Sequence, residues 1–354
     1  MCKRIFANQT SEQGDVPFFK IGTIGGTPDA YISRDLFEEY KAKYNYPRKG
    51  EVMISCAGTV GKTIVFDGED AYFQDSNIVW LSNPKQLYLN SFLNYVLSRV
   101  NWNKLNSTTI TRIYNDNLRE LVINYPSVKE QEKIVALLSL LDQRISIQNK
   151  VIEDYKILKS TLCEHYYIIE GREFHNLGEI IEQVSSRNKG RHITNVLSVS
   201  NRFGFIEQKE QFEDRAVASD DTSNYKIVEI NDFAYNPARI NVGSIARLKS
   251  MSKGIVSPMY ICFRALESLH PEYLEYFFNT NRFQIELKKR LEGSVRQCLS
   301  YEGLCNISIP LPSLKEQEII VDHIGSIVKK IEVENQILAL LQAQKSFLLQ
   351  KLFI

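Results

Sequence analysis

Pro126-Ser127-Val128-Lys129-Glu130-Gln131-Glu132 returns further along the chain as Pro312-Ser313-Leu314-Lys315-Glu316-Gln317-Glu318. The likeness continues in register. Ile134 and Val135 match Ile320 and Val321, Ile145 matches Ile331, and Asn149 matches Asn335. Lys159-Ser160 then matches Lys345-Ser346, and Leu162 matches Leu348. Self-similarity at so long an interval is not a solenoid period, so the chain is a tandem pair of halves. Each half closes on the repeated segment and opens on a larger, more divergent block.

The repeated segment reads as a long helix. Prolines 126 and 312 stand where a helix can begin but not pass through. Ser127 and Ser313 are N-cap candidates, and Glu130 and Glu316, three residues on, complete a capping box. The first copy then runs without proline, and without glycine until Gly171. Its apolar residues step by four and three through Ile134, Leu138, Leu141, Ile145, Ile152, Tyr155, Leu162 and Tyr166. The second copy repeats this as Ile320, Ile324, Ile327, Ile331, Leu338, Leu341, Leu348 and Leu352. A 3.5-residue period held this long is a coiled-coil seam. Some ~40 residues at ~1.5 Å each make a rod of about 60 Å.

The seam is interrupted at equivalent places, Gln148 with Glu334 and Lys159 with Lys345. A parallel pair would set Lys159 against Lys345, two like charges in a partly dry seam. An antiparallel pair sets Lys159 against Glu334 and Gln148 against Lys345. Its neighbouring layers are Ile152 with Leu341, Tyr155 with Leu338, Ile145 with Leu348 and Leu141 with Leu352. The expectation is an antiparallel coiled coil in that register.

The blocks, residues 1–125 and 169–311, read as mixed α and β. Strand-like runs bounded by Gly, Asn, Asp or Pro lie at Glu51–Cys56, Asn77–Leu81, Leu121–Asn124, Ile193–Val199, Ile255–Phe263 and Asn306–Ile309. Helical stretches lie near Leu87–Val100 and Pro271–Arg290. The halves correspond here too: Gly50-Glu51-Val52 with Asn231-Asp232-Phe233, Gly58–Gly61 with Asn241–Ser244, and Leu118–Ile123 with Leu304–Ile309. The fold expected is α+β. Two globular α/β blocks are separated by two long helices, 126–168 and 312–354, that pair antiparallel in a pseudo-twofold repeat.

The chain has 354 residues, 44% hydrophobic and 24% charged, enough for two domains with cores of their own. A net charge of +1 writes no general affinity for nucleic acid into the total, so DNA binding would need local basic patches. Six cysteines without a Cys-x-x-Cys pair read as reduced, mostly buried thiols. No leader and no apolar run of membrane-spanning length appear, so a cytoplasmic protein is expected.

Catalytic motifs are approached and missed. Ser55–Thr63 needs glycine at 56 for a phosphate-binding loop and has Cys56, so a tight turn between strands is expected. Tyr235-Asn236-Pro237-Ala238 is half of an Asn-Pro-Pro-Tyr motif, without the second proline or the aromatic that would stack on a flipped base. The five histidines, His165, His175, His192, His270 and His323, show no metal-ligand spacing. No catalytic residue and no metal site are assigned.

With its duplicated Pro-Ser-x-Lys-Glu-Gln-Glu helices and the Gly58-Thr59-Val60-Gly61-Lys62 turn followed by Asp75-Ser76-Asn77, the chain resembles the specificity (S) subunit of type I restriction-modification systems. The resemblance covers essentially the whole chain. It implies two target recognition domains, each reading half of a bipartite, asymmetric sequence in double-stranded DNA. It also implies paired helices that act as spacer and dock two N6-adenine methyltransferase (M) subunits, with restriction (R) subunits added outside. S-adenosylmethionine, ATP and Mg are then expected in the partner subunits and none in this chain. One departure stands out. A lead-in like Glu173-Phe-His-Asn-Leu-Gly-Glu-Ile180 precedes the second block, while the first begins near Lys3-Arg4-Ile5, so it is expected to be truncated or to start upstream.

DNA readers take affinity from Lys and Arg on phosphates, and specificity from Arg, Asn, Gln, Ser and Thr on base edges. In the first block Thr59, Lys62, Thr63, Thr108, Thr109 and Arg112 suit that role. In the second, Arg187, Asn188, Lys189, Arg191, Asn236, Arg239, Asn241, Ser294, Arg296 and Gln297 do. Two other readings stay open on residues alone: a coiled-coil scaffold whose blocks bind proteins, and an N6-adenine methyltransferase, which the missing motifs disfavour.

Overall fold

The protein is described from a computed structural model, which covers residues 1–84, 87–105, 112–168, 173–208, 221–293 and 297–353. It forms two compact units, Met1–Asn149 with Ile337–Ile354, and Lys150–Gln336. Each unit holds one block and a part of both long helices. The division therefore cuts the helices midway instead of setting them apart as modules of their own.

In the first unit β1 (Val16–Phe19) lies between β2 (Tyr31–Ile32), antiparallel, and β5 (Tyr72–Phe73), parallel. A second sheet has β3 (Val52–Ser55) between β4 (Thr63–Val65) and β6 (Ile78–Leu81), all antiparallel. Val16, Phe37, Met53 and Tyr72 fill the core beside them. The second unit repeats this frame with additions, after a short pair member β7 (Phe174–Asn176) and a single helical turn, Leu177–Ile180. One sheet orders β10 (Gly204–Glu207), β9 (Val196–Ser200), β14 (Lys253–Val256) and β11 (Lys226–Glu229), with β9 and β14 parallel. The other orders β13 (Ile245–Arg247), β12 (Phe233–Tyr235), β15 (Ile261–Ala265) and β8 (Ile181–Val184), all antiparallel. Finally β16 (Ser308–Pro310) pairs with β7. So β4-β3-β6 recurs as β13-β12-β15, and β2-β1-β5 as β10-β9-β14 with the parallel pair in the same place.

Three expected elements change on folding. Ile255–Phe263 is broken by a turn in which Tyr260 N donates to Ser257 O. Pro271–Arg290 becomes two helices, Pro271–Phe277 and Asn281–Arg290, because the Thr280 hydroxyl accepts from Phe283 N and caps the second. Leu121–Asn124 is not a strand, although its counterpart is β16. A strand needs a neighbour, and among the described residues of the first block none stands where β7 pairs with β16 in the second.

The duplicated signature has a structural meaning that charge and periodicity do not disclose. Gln131 and Gln317 are both wholly buried. Gln131 Oε1 accepts from Leu89 N at 2.7 Å, at the N-terminus of helix Asn90–Ser98, and its Nε2 donates to Pro126 O at 2.9 Å. Gln317 does the same with His270 N at 2.7 Å, at the start of helix Pro271–Phe277, and with Pro312 O at 2.9 Å. A helix N-terminus has amide donors without intrahelical partners, and here a side-chain amide from the long helix serves one. The expected capping box is complete in the second copy, where Ser313 and Glu316 bond each other's backbone N–H. In the first, Glu130 reaches Lys133 at 3.2 Å.

The long helices are Val128–Ile168 and Leu314–Leu352. Every seam residue expected from the heptads, polar breaks included, is buried or half-buried, while Leu137, Leu140, Ile147, Ile157, Leu340 and Phe347 on other faces are exposed. Within each unit the start of one helix packs on the end of the other, so the pairing is antiparallel. In the first, Leu138 packs among Leu348, Leu349, Leu352 and Phe353. In the second, Tyr166 OH meets His323 Nδ1 at 2.7 Å.

The register is displaced from the expected one. Lys345 Nζ lies 2.5 Å from Asp142 Oδ1, between one and two turns before the expected partner Gln148. Asp142 flanks the seam and also accepts from Tyr95 OH at 2.8 Å, so reasoning confined to seam positions passes over it. Glu334, expected against Lys159, is buried and takes Lys330, four residues back on its own helix, at 2.8 Å.

Removing either glutamine leaves a buried amide N–H without its acceptor, which costs about 1–3 kcal/mol. Gln131→Ala and Gln317→Ala should each lower the unfolding free energy by that amount, read as a lower urea midpoint. Wild-type midpoints for both would show that the staples do not hold the blocks.

Candidate nucleic-acid interface

In the second unit the topology gathers the candidate residues at one end of a sheet. β8 and β12 both run antiparallel to β15, and both end opposite its first residues, Val184 against Cys262 and Tyr235 against Ile261. The loops that follow, 185–191 and 236–244, therefore leave the same sheet end. A third segment joins them, since Leu299 N donates to Pro237 O, which places Gln297 beside the Asn236 turn.

Side-chain roles within these loops differ. Arg187, Lys189, Arg191, Arg239, Asn241 and Gln297 are exposed. Arg191 sits at φ 52° and pairs with Asp221 at 3.0 Å, while Arg187 Nη1 donates to Asn224 Oδ1 at 3.1 Å. Asn236 accepts from Ala238 N at 3.1 Å and so shapes the turn that presents Arg239. Asn188, expected to touch DNA, is a correction. It is 3% exposed, and its side chain is bonded both ways to the backbone of Ile193. An amide so used closes the 188–193 loop, and its burial keeps it away from a base edge. Ser294 and Arg296 lie outside the described residues.

The first unit presents the equivalent turn. Between β3 and β4 the chain reverses over 56–62 with Gly58 at φ 66° and Gly61 at φ 83°. A Cβ on Gly61 would come within 2.1 Å of the Trp102 ring, so only glycine admits that approach. Ser55 Oγ donates to Thr59 O inside the turn. Thr59 donates to Ile21 O at 2.8 Å, Lys62 is exposed and Thr63 is half-buried at the start of β4. Cys56 bonds both Asn77 and Ile113 through its backbone, and Arg112 Nη2 donates to Ser76 O at 3.3 Å. The structure thus brings Thr59, Lys62, Thr63 and Arg112 to one place, while Thr108 and Thr109 fall outside the described residues.

The near-miss motifs acquire physical explanations. Ser55–Thr63 joins two antiparallel strands, whereas a phosphate-binding loop leads from a strand into a helix. Tyr235, in the half motif, is wholly buried, and its OH donates toward Leu299 O and Ser300 O. Burial holds that phenol well above its ordinary range, so it is a core residue and not a stacking surface. Burial likewise pushes the Cys56 and Cys163 thiols up to about 11, which keeps them from nucleophilic work. Among the described residues no cluster of His, Cys, Asp or Glu could hold a metal, and no helix is long and apolar enough to cross a membrane.

Comparison with known proteins meets this geometry. The family model of the type I restriction modification DNA specificity domain matches twice, over residues 1–154 and 170–343. The chain belongs to this family. A putative type I restriction enzyme specificity subunit of Haemophilus influenzae is 52% identical over 153 residues, 43% of this chain and 39% of that protein. The matched stretch therefore spans well under half of that relative. The putative MjaX specificity subunit of Methanocaldococcus jannaschii is 23% identical over 93% of this chain and 84% of its own. The solved type I restriction-modification S subunit of M. genitalium shares the fold, with TM-score 0.58 at 17% identity, covering all of this chain and 92% of that one. The two matches of the specificity-domain model coincide with the two copies of the sheet frame.

Gln131 and Gln317 are residues that residue-type reasoning passed over, and Asn188 is one whose role it misjudged. The glutamines had a signal, identity in both copies at one place in the signature. Asn188 had none, because burial of a loop asparagine is a tertiary fact. Asn188→Ala should destabilise the second block by about 1–3 kcal/mol in thermal unfolding, whereas exposed Arg187→Ala should leave stability within about 0.5 kcal/mol. Equal effects would undo the distinction.

Proposed function

We propose that the chain is the DNA-reading subunit of a type I restriction-modification complex and carries no catalytic centre itself. Each block reads one half of a bipartite, asymmetric duplex target. The paired helices fix the spacing of the halves and dock two N6-adenine methyltransferase subunits, to which restriction subunits attach. S-adenosylmethionine, ATP and Mg belong to those partners.

One observation carries this reading: the same sheet frame occurs twice and ends, both times, in a loop cluster that carries cationic side chains, joined in the second by exposed amides. Lys62 and Arg112 serve in one, Arg187, Lys189, Arg239, Asn241 and Gln297 in the other. Such groups supply phosphate contacts and base-edge hydrogen bonds. Docking is supported by the exposed apolar residues on the helices, among them Leu140 at 59%, Ile147 at 60%, Leu340 at 71% and Phe347 at 58%. Apolar side chains left in water along a helix that has already buried its seam are suited to a partner's surface.

Selection from random-sequence duplex, read by gel shift with methyltransferase subunits present, tests the proposal. A split target should emerge, and a scaffold that binds only protein would select none. Arg239→Ala should weaken binding by about 1 kcal/mol or more through the second half-target alone. Equal loss at both halves would remove Arg239 from the interface. One heptad inserted in each helix adds roughly 10 Å, about three base pairs, and should lengthen the preferred spacer or abolish binding.

A further inference from the structure

In the second unit β9 and β10 pair with Ser200 opposite Gly204, so Asn201, Arg202 and Phe203 alone make the reversal. Ser200 Oγ accepts from Arg202 N at 3.2 Å and from Phe203 N at 3.4 Å. Gly204, at φ 67°, supplies the left-handed residue that a short hairpin loop needs. The backbone of the tip is thus closed without help from its own three side chains, all of which are exposed. Phe203 stands 75% exposed. Turns call for Gly, Asn, Asp, Ser or Pro, so this phenylalanine serves neither the turn nor the core.

The tip lies beside the loops that carry the candidate DNA contacts. Ser244 Oγ donates to Val199 O at 3.1 Å, and a Cβ on Gly243 would meet the Asn201 Cβ at 3.7 Å. The hairpin therefore runs along the 236–244 turn, which presents Arg239 and Asn241, and Arg202 adds another exposed cation. One aromatic ring flanked by cations and amides is too small an apolar patch for a stable protein interface. It suits a polyanion that offers flat apolar faces between its phosphates, which is what stacked bases are. The first unit places the corresponding connection alike and equips it differently. Thr59 donates to Ile21 O at 2.8 Å, which sets the segment between β1 and β2 against the 56–62 turn, yet residues 20–30 contain no aromatic.

We propose that Phe203 is a wedge: its ring enters between two neighbouring base pairs of the second half-target and unstacks them, with Arg202 on an adjoining phosphate. Apolar wedges kink a duplex, and the lost stacking is offset by the surface that the bend brings into contact. A tip already held by Ser200 and Gly204 loses little freedom on insertion. The proposal rests on the DNA-reading role given above and adds a preference that no hydrogen bond reads. Pyrimidine–purine steps are the easiest to unstack, so one of these is expected at the wedged position. The first half-target, facing a connection without an aromatic, carries no such step.

The probe is the duplex selected by gel shift, bound to the full chain with its methyltransferase subunits. 2-Aminopurine, which brightens when it unstacks, replaces in turn each purine of both half-targets. One bright step in the second half-target is expected, apart from any base that the methyltransferases extrude themselves. Phe203→Ala should darken that step alone and weaken binding by about tenfold, while Phe203→Trp keeps both. The position is exposed, so neither substitution touches the core. If the wild-type complex binds no duplex, the DNA-reading role falls and the wedge with it. Binding by the wild type with no step darkened by Phe203→Ala overturns the wedge alone. So does loss of the methyltransferase subunits from Phe203→Ala in the absence of DNA, which would make the ring a protein contact.

Discussion

A buried glutamine amide ties each block to its helix. Gln131 and Gln317 accept the first backbone N–H of a block helix and donate to the carbonyl of the proline that opens the long helix. A buried side chain satisfied at both ends tolerates little rotation, and an unmade bond there is expensive. The staple therefore sets the angle between a long helix and the block it follows. Since the same bonds occur in both units, the two blocks meet their helices alike, and the pseudo-twofold character extends from sequence to attachment.

Much else depends on that constraint. The helices spend their seam residues on each other and leave a second set of apolar side chains outward, which is the arrangement a docking surface requires. The blocks hold their sheets by ordinary core packing, with Phe233, Phe263 and Phe277 in one unit and Phe37 and Tyr72 in the other. Their variable loops are then free to differ. The turn after β3 and the turn after β12 share glycines at positive φ, Gly58 and Gly61 in one and Gly243 in the other, yet present different cations. A common frame whose loops differ would let one fold accommodate different target sequences.

The duplication, the long helices and their antiparallel pairing were legible in residues, because period and charge are local properties that tertiary context rarely overrides. The register was not. Its displacement shows at Asp142, which lies beside the seam and gathers Lys345 and Tyr95 in a way no heptad rule anticipates. The strand expected at Leu121–Asn124 is not formed because a strand depends on a neighbour, and the repeat does not disclose that no described residue of the first block pairs there as β7 pairs with β16. Of the loop residues, the exposed cations were identifiable by type. Asn188 was not, since a polar loop residue that bonds inward looks the same in sequence as one that bonds outward.

The central claim is that two similar blocks read two halves of one target independently. The direct measurement is methylation sequencing of cells carrying the chain with its methyltransferase partners, before and after residues 174–310 are replaced by the corresponding block of a relative. The account predicts that one half of a bipartite methylated motif changes while the other half and the spacer length persist. A motif altered in both halves, or unaltered in either, would contradict it.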